Sequence, residues 1–170
     1  MKNKSQRKGF TIIEVVLVLA IAGLIFLMVF VALPALQRSQ RDTQRRDDMA
    51  RFLSQLNQYQ ANNNGQVPSD KGSSDGEKKS KFTSFISDYL QAGGDTFNDP
   101  STGSVYTIAS FTDCSQACSQ KTTGDDAKMG IISVYSNATC DGEDPTYVQG
   151  NRKIAITIKL EGAGVYCGHN

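Results

Sequence analysis

From Phe10 to Leu33 the chain runs for 24 residues with only two polar side chains, Thr11 and Glu14. As a helix rising ~1.5 Å per residue, this run is ~36 Å long and spans a bilayer core with some tilt. A chain of 170 residues has too little core to bury a helix that is apolar all round. A cleaved secretory signal is the competing reading, and Ala20-Ile21-Ala22 imitates its small-residue cleavage site. The apolar run continues for eleven residues past Ala22 without a polar stretch, which favours a retained anchor.

Charge sets the N-terminus apart. Lys2, Lys4, Arg7 and Lys8 lie in the first nine residues, which hold no acid. The other 14 basic residues face 17 acidic ones, so neither the chain nor the remainder presents a basic surface for nucleic acid. Arg38, Arg41, Arg45, Arg46 and Arg51 flank the other end of the span, diluted by Asp42, Asp47 and Asp48, so the positive-inside rule leaves orientation open. Cys114, Cys118, Cys140 and Cys167 point to an oxidising compartment and place the C-terminal part outside the cell membrane.

Glu14 stands out because a carboxylate in an apolar span costs a few kcal/mol or more and marks a functional position. It calls for a cationic partner, and the span has no Lys or Arg. A cut between Gly9 and Phe10 would create one, an amine that Glu14 of a displaced neighbouring subunit can meet. The bland alternative is a carboxylate snorkelling to the interface.

Lys8-Gly9-Phe10-Thr11-Ile12-Ile13-Glu14, followed by the apolar run, resembles the class III signal of type IV prepilins and pseudopilins. The resemblance covers about the first 35 residues. It implies cleavage after Gly9 by a membrane aspartic prepilin peptidase, N-methylation of Phe10, and neutralisation of the Phe10 amine by Glu14 of an adjacent subunit. It implies partners as well: other copies of the chain, other pilins and the pilus assembly platform, with the membrane holding the subunit before assembly. Gly23 and Pro34 would bound a stretch that loses helicity in the filament, although Pro34 lies further along than the usual family proline. Pro34 also reads simply as a kink.

The pattern then becomes amphipathic, with Met49, Phe52, Leu53, Leu56 and Tyr59 at helical spacing. One helix is expected from Phe10 to about Ala61, stopped by Asn62-Asn63-Asn64-Gly65 with Gly65 as a left-handed cap. The Arg/Asp cluster beyond Pro34 reads as a solvated face with local ion pairs, which in a filament could make contacts between subunits. Pro68–Lys81 reads as an exposed polar loop, and Phe82, Phe85, Ile86, Tyr89 and Leu90 as a short helix stopped by Gly93-Gly94. Strands are expected at Val105–Ile108, Met129–Tyr135, Ile154–Leu160 and Val165–Cys167. The expected domains are a leader (1–9), a membrane or filament-core helix (10–34), an amphipathic helix (35–64) and a head (65–170). The fold class is α+β, a long helix packed on a small antiparallel sheet, pilin-like by the resemblance. Of three possible connectivities, Cys114–Cys118 and Cys140–Cys167 are preferred. Asp99-Pro100-Ser101-Thr102-Gly103, with Tyr106 after it, resembles a turn in the heads of major pseudopilins and related pilins.

The chemistry-bearing residues do not assemble into an enzyme motif. The lone histidine is His169, and no G-x-S-x-G or S-x-x-K is present. No cofactor is expected. Asp141 and Asp144 are weak calcium candidates outside EF-hand spacing, and Asp125-Asp126 is a second acidic pair. Asn137-Ala138-Thr139 matches a glycosylation sequon. The leading expectation is a structural subunit of a type IV pilus-like filament, membrane-anchored and then extracellular. A pseudopilin of a secretion or competence system shares its N-terminal logic. A single-pass anchored binding domain is the reading of another class, and Glu14 is the residue that such an anchor does not need.

Overall fold

A computed structural model describes residues 9–71, 74–115, 118, 128–150, 152–162 and 164–170. The chain divides between Arg38 and Ser39 into two units.

In the first unit α1 (Ile12–Asn62) begins. Its residues up to Leu36 bury none of their large apolar side chains; Phe30 is 73% exposed and Met28 76%. This helix is long and apolar enough to cross a membrane, with a mean hydropathy of 3.2 in its most apolar window. The helix continues through Pro34.

In the second unit, the remainder of α1 lies on a four-stranded sheet of order β1-β2-β5-β6. The strands are β1 (Thr107–Asp113), β2 (Ile131–Ser136), β5 (Ile154–Lys159) and β6 (Val165–His169). The β2–β5 and β5–β6 pairs are antiparallel, but β1 and β2 are parallel, so the sheet is mixed rather than antiparallel throughout. A parallel neighbour requires a connection of a dozen or more residues, and residues 114–130 supply it. Met49, Phe52, Leu53 and Leu56 pack with Ile132, Val134, Ile154, Ile156 and Ile158.

The alternation in β5 suggests one solvated face, yet Ala155 and Thr157 are buried too. A second sheet, β3 (Ala138–Asp141) paired antiparallel with β4 (Asp144–Tyr147), accompanies that other face. There Ala155, Tyr135, Ala138 and Cys114 form a separate small core. Disulfides join Cys114 to Cys118 and Cys140 to Cys167.

The reading of Pro68–Lys81 as a loop needs correction. Pro68–Lys71 is a 3-10 turn, and α2 (Asp75–Phe85) begins well before Phe82. Its start is a capping box: Glu77 N–H donates to Ser74 Oγ at 3.3 Å, and Ser74 N–H donates to Glu77 Oε2 at 3.3 Å. The polar, low-complexity composition conceals a Ser-x-x-Glu signature. Phe82, Phe85, Ile86 and Leu90 are buried against α1 and the sheet edge. At the end of α1, Asn64 and Gly65 take positive φ (56° and 77°), and Gly65 N–H reaches Gln60 O at 2.7 Å.

Candidate functional site

The N-terminal site is built around the first turn of α1. Gly9, Phe10 and Thr11 precede the helix and are exposed, Phe10 by 90%, and nothing lies within 4 Å of where a Gly9 Cβ would stand. Thr11 is the N-cap. Its backbone N–H donates to Glu14 Oε2 at 2.8 Å and its hydroxyl donates to the same oxygen at 2.7 Å. Glu14 is thus the N3 carboxylate of a Thr-x-x-Glu cap, satisfying a helix-end N–H and adding negative charge at the positive end of the helix dipole. Within one chain Glu14 thus has hydrogen-bond partners, and among the described residues no Lys or Arg pairs with it. The Thr11/Glu14 spacing was the signal that reveals this.

A second constellation lies where α1 meets the head. Asp42, Arg45, Asp48 and Arg51 recur every third residue, and together they bind the 161–162 turn, the 99–101 turn, Tyr106 and the 90–96 segment. Asp42 accepts the backbone N–H groups of Glu161 and Gly162, both at 2.8 Å. Arg45, fully buried, donates to Asp99, Asp42, Glu161 and Ser101 Oγ. Asp48 accepts the Tyr106 hydroxyl at 2.9 Å. Arg51 donates to Leu90 O, to Thr96 O at 3.3 Å and to Asp95 at 3.1 Å. Arg41 adds a bidentate pair with Glu161 at 2.8 and 2.6 Å.

The Arg/Asp cluster read as a solvated face is thus corrected: Asp42 and Arg45 belong to the buried stripe, one turn before Met49. The alternating D-x-x-R-x-x-D-x-x-R spacing is the sequence signal for it. Burial in a low dielectric is tolerated because each charge has a partner. Burial pushes the Asp99 carboxyl up, but Arg45, Ser101 and the Ser101 and Thr102 N–H groups outweigh it and hold it at about 2. The Arg41 hydrogen bonds, against some burial and with help from Arg45, hold Glu161 at about 2. Burial raises Asp48 despite the Tyr106 hydroxyl, and burial with the nearby Asp48 charge raises Tyr106.

The remaining candidates do not converge on either place. Gly23 lies in α1 with open space around it, and Pro34 lies further along the same helix. Asp141 and Asp144 are cross-strand partners at the β3–β4 hairpin, and among the described residues no three metal-ligating side chains gather. Asn137 of the sequon donates its amide to Asp113 at 2.8 Å in the tight β2–β3 link. His169 accepts the Cys140 N–H at 3.3 Å. Lys2, Lys4, Arg7, Lys8 and Asp125-Asp126 lie outside the described residues.

Residues 4–30 match the family model described as the prokaryotic N-terminal methylation motif. Neither the curated proteins nor the solved structures yield a match. An exposed Gly9-Phe10 junction, a capped helix start with Glu14 in its first turn and an unburied apolar helix accompany that motif, and the N-terminus of this chain is the class III signal peptide of type IV pilins and pseudopilins.

Proposed function

We propose that the chain is the precursor of a structural subunit of a type IV pilus-like surface filament. It is cut after Gly9 by a prepilin peptidase and N-methylated at Phe10. It is held in the cytoplasmic membrane by residues 10–34 with the head outside, then assembled through packing of its N-terminal helices with copies of itself and other pilins on an assembly platform. Glu14 meets the Phe10 amine of a neighbour during assembly. The observation that carries this reading is the methylation motif over residues 4–30, continuous with an apolar helix whose large side chains are exposed. Gly23 and Pro34 bound the part of the helix proposed to loosen in the filament. A pseudopilin of a secretion or competence system shares this N-terminal logic, and the Asp99-to-Tyr106 turn, whose Asp99 and Tyr106 both bind α1, fits either reading.

Mass spectrometry of the N-terminal peptide, from sheared surface material and from membranes, tests the proposal. A peptide starting at N-methylated Phe10 in both fractions is the expected result. A chain still starting at Met1, or one starting at Gly23, overturns it.

A further inference from the structure

The apolar contacts between α1 and the sheet are non-directional, so a small slide or turn of the helix exchanges one set of aliphatic neighbours for another. The polar contacts are directional. Advancing the helix by one residue turns it by about 100° and moves it about 1.5 Å, which takes Arg45 out of reach of Asp99 and Glu161. Asp42, Asp48 and Arg51 lose their partners in the same movement, because those partners stand at fixed places at Glu161-Gly162, at Tyr106 and at Leu90 to Thr96.

The alternation of sign excludes a second alternative. A slide of three residues puts Asp42 or Asp48 where Arg45 now faces Asp99. In the direction that brings Asp48 there, it also puts Arg45 where Asp42 now receives the Glu161 and Gly162 N–H groups; in the other, it takes Asp42 away from those groups and Asp48 away from the Tyr106 hydroxyl. Both directions set like charges together, and the first points a donor at donors.

We infer that Arg45, within the Asp42-Arg45-Asp48-Arg51 series, is a positioning residue. It fixes the rotation and axial register of residues 39–62 of α1 against the sheet, so that every subunit presents its head in one orientation. The part of this inference that concerns subunits rests on the filament reading.

The test uses the full chain in detergent with Arg45→Met and Asp99→Leu together, an apolar pair that leaves Glu161 with Arg41. Spin labels on Ser54→Cys and Thr107→Cys report helix against sheet, and labels on Thr107→Cys and Lys153→Cys report the sheet alone. The expected result is one narrow distance in both label pairs of the otherwise unaltered protein. In the variant the helix–sheet pair is expected to broaden or split while the sheet pair stays narrow. A helix–sheet distance that stays narrow overturns the inference. Broadening of both pairs also overturns it, because the cluster then merely holds the fold together. In cells, the variant is expected to be cut after Gly9 as usual and to give few or irregular filaments. Regular filaments in normal number overturn its role in assembly, whereas a failure of cleavage in the unaltered chain counts against the filament reading instead.

Discussion

Arg45 and Asp99 meet at two points, Nε to Oδ2 at 2.6 Å and Nη2 to Oδ1 at 3.1 Å, with both side chains fully shielded from solvent. Removing Arg45 strands the Asp99 charge, whereas removing Asp99 leaves Arg45 paired with Asp42 and Glu161. Arg45→Met alone is therefore expected to destabilise the head by about 3–5 kcal/mol, read as a lower urea midpoint with the disulfides intact. The Arg45→Met, Asp99→Leu pair removes both charges, leaves Glu161 with Arg41 and leaves Asp42 with the Glu161 and Gly162 N–H groups, and is expected to change stability less. Equal losses in the two variants would mean that packing around the site, and not charge, sets its energy.

The same carboxylates make the head sensitive to acid. Asp99 lies at about 2 against an ordinary 3.8, and Glu161 at about 2 against 4.5. A carboxylate depressed by folding contributes its full stability above its unfolded value, and that contribution is withdrawn as pH falls towards the folded value. Stability is thus expected to be flat near pH 6 and to fall between about pH 4.5 and 2, by on the order of a few kcal/mol. Asp48, raised by burial, works in the opposite sense and reduces the loss. Urea unfolding at pH 6, 4 and 3 measures the slope, and Asp99→Ala should flatten it. An equally steep fall in that variant would assign acid sensitivity to other groups.

The capping box of α2 makes a smaller claim. Ser74→Ala removes the acceptor for the Glu77 N–H and is expected to cost roughly 1 kcal/mol. The loss should appear as faster amide exchange in the first turn of α2, with the β2–β5 amides unchanged. Unchanged exchange at Glu77 would show that the cap contributes nothing there.

Tyr135 has the opposite expectation. Its ring is fully buried in the small core beside the disulfides, and its hydroxyl has no hydrogen-bond partner among the described residues. A buried unsatisfied hydroxyl costs about 1–3 kcal/mol, so Tyr135→Phe should be neutral or stabilising. A clear drop in melting temperature would mean that the hydroxyl is satisfied in solution.

Periodicity made the apolar half of this fold legible. Met49, Phe52, Leu53 and Leu56 declared the core face of α1, and Ile154, Ile156 and Ile158 declared their partners. The parallel pairing of β1 and β2 was not legible, because strand direction depends on where a long connection leads and not on the strand's own residues. The features missed share one cause: charged side chains were read as solvated. Glu77 is a cap, and Asp42 and Arg45 lie in the core stripe. In each case the evidence was spacing, three residues between partners, rather than composition. At the N-terminal site, Gly9, Phe10 and Glu14 could be singled out directly, because a glycine before an apolar run and one acid within it are conspicuous against a uniform background.

Glu14 carries the last expectation, and its cap on Thr11 supplies the control. Losing an N-terminal cap costs about 0.5–2 kcal/mol, too little to unseat a helix whose apolar run spans a membrane. Glutamine at this position still accepts from the Thr11 N–H, since capping boxes use Glu or Gln alike. Only the charge needed to neutralise a neighbour's amine disappears. Glu14→Gln is therefore expected to insert in the membrane with its helix start intact and to be cut after Gly9, but to give no filaments by electron microscopy of sheared material. Glu14→Ala should behave the same way despite its lost cap. If Glu14→Gln assembled normally while Glu14→Ala failed, the residue would act as a helix cap and pairing between subunits would be excluded. Normal filaments from both would remove Glu14 from the assembly mechanism altogether.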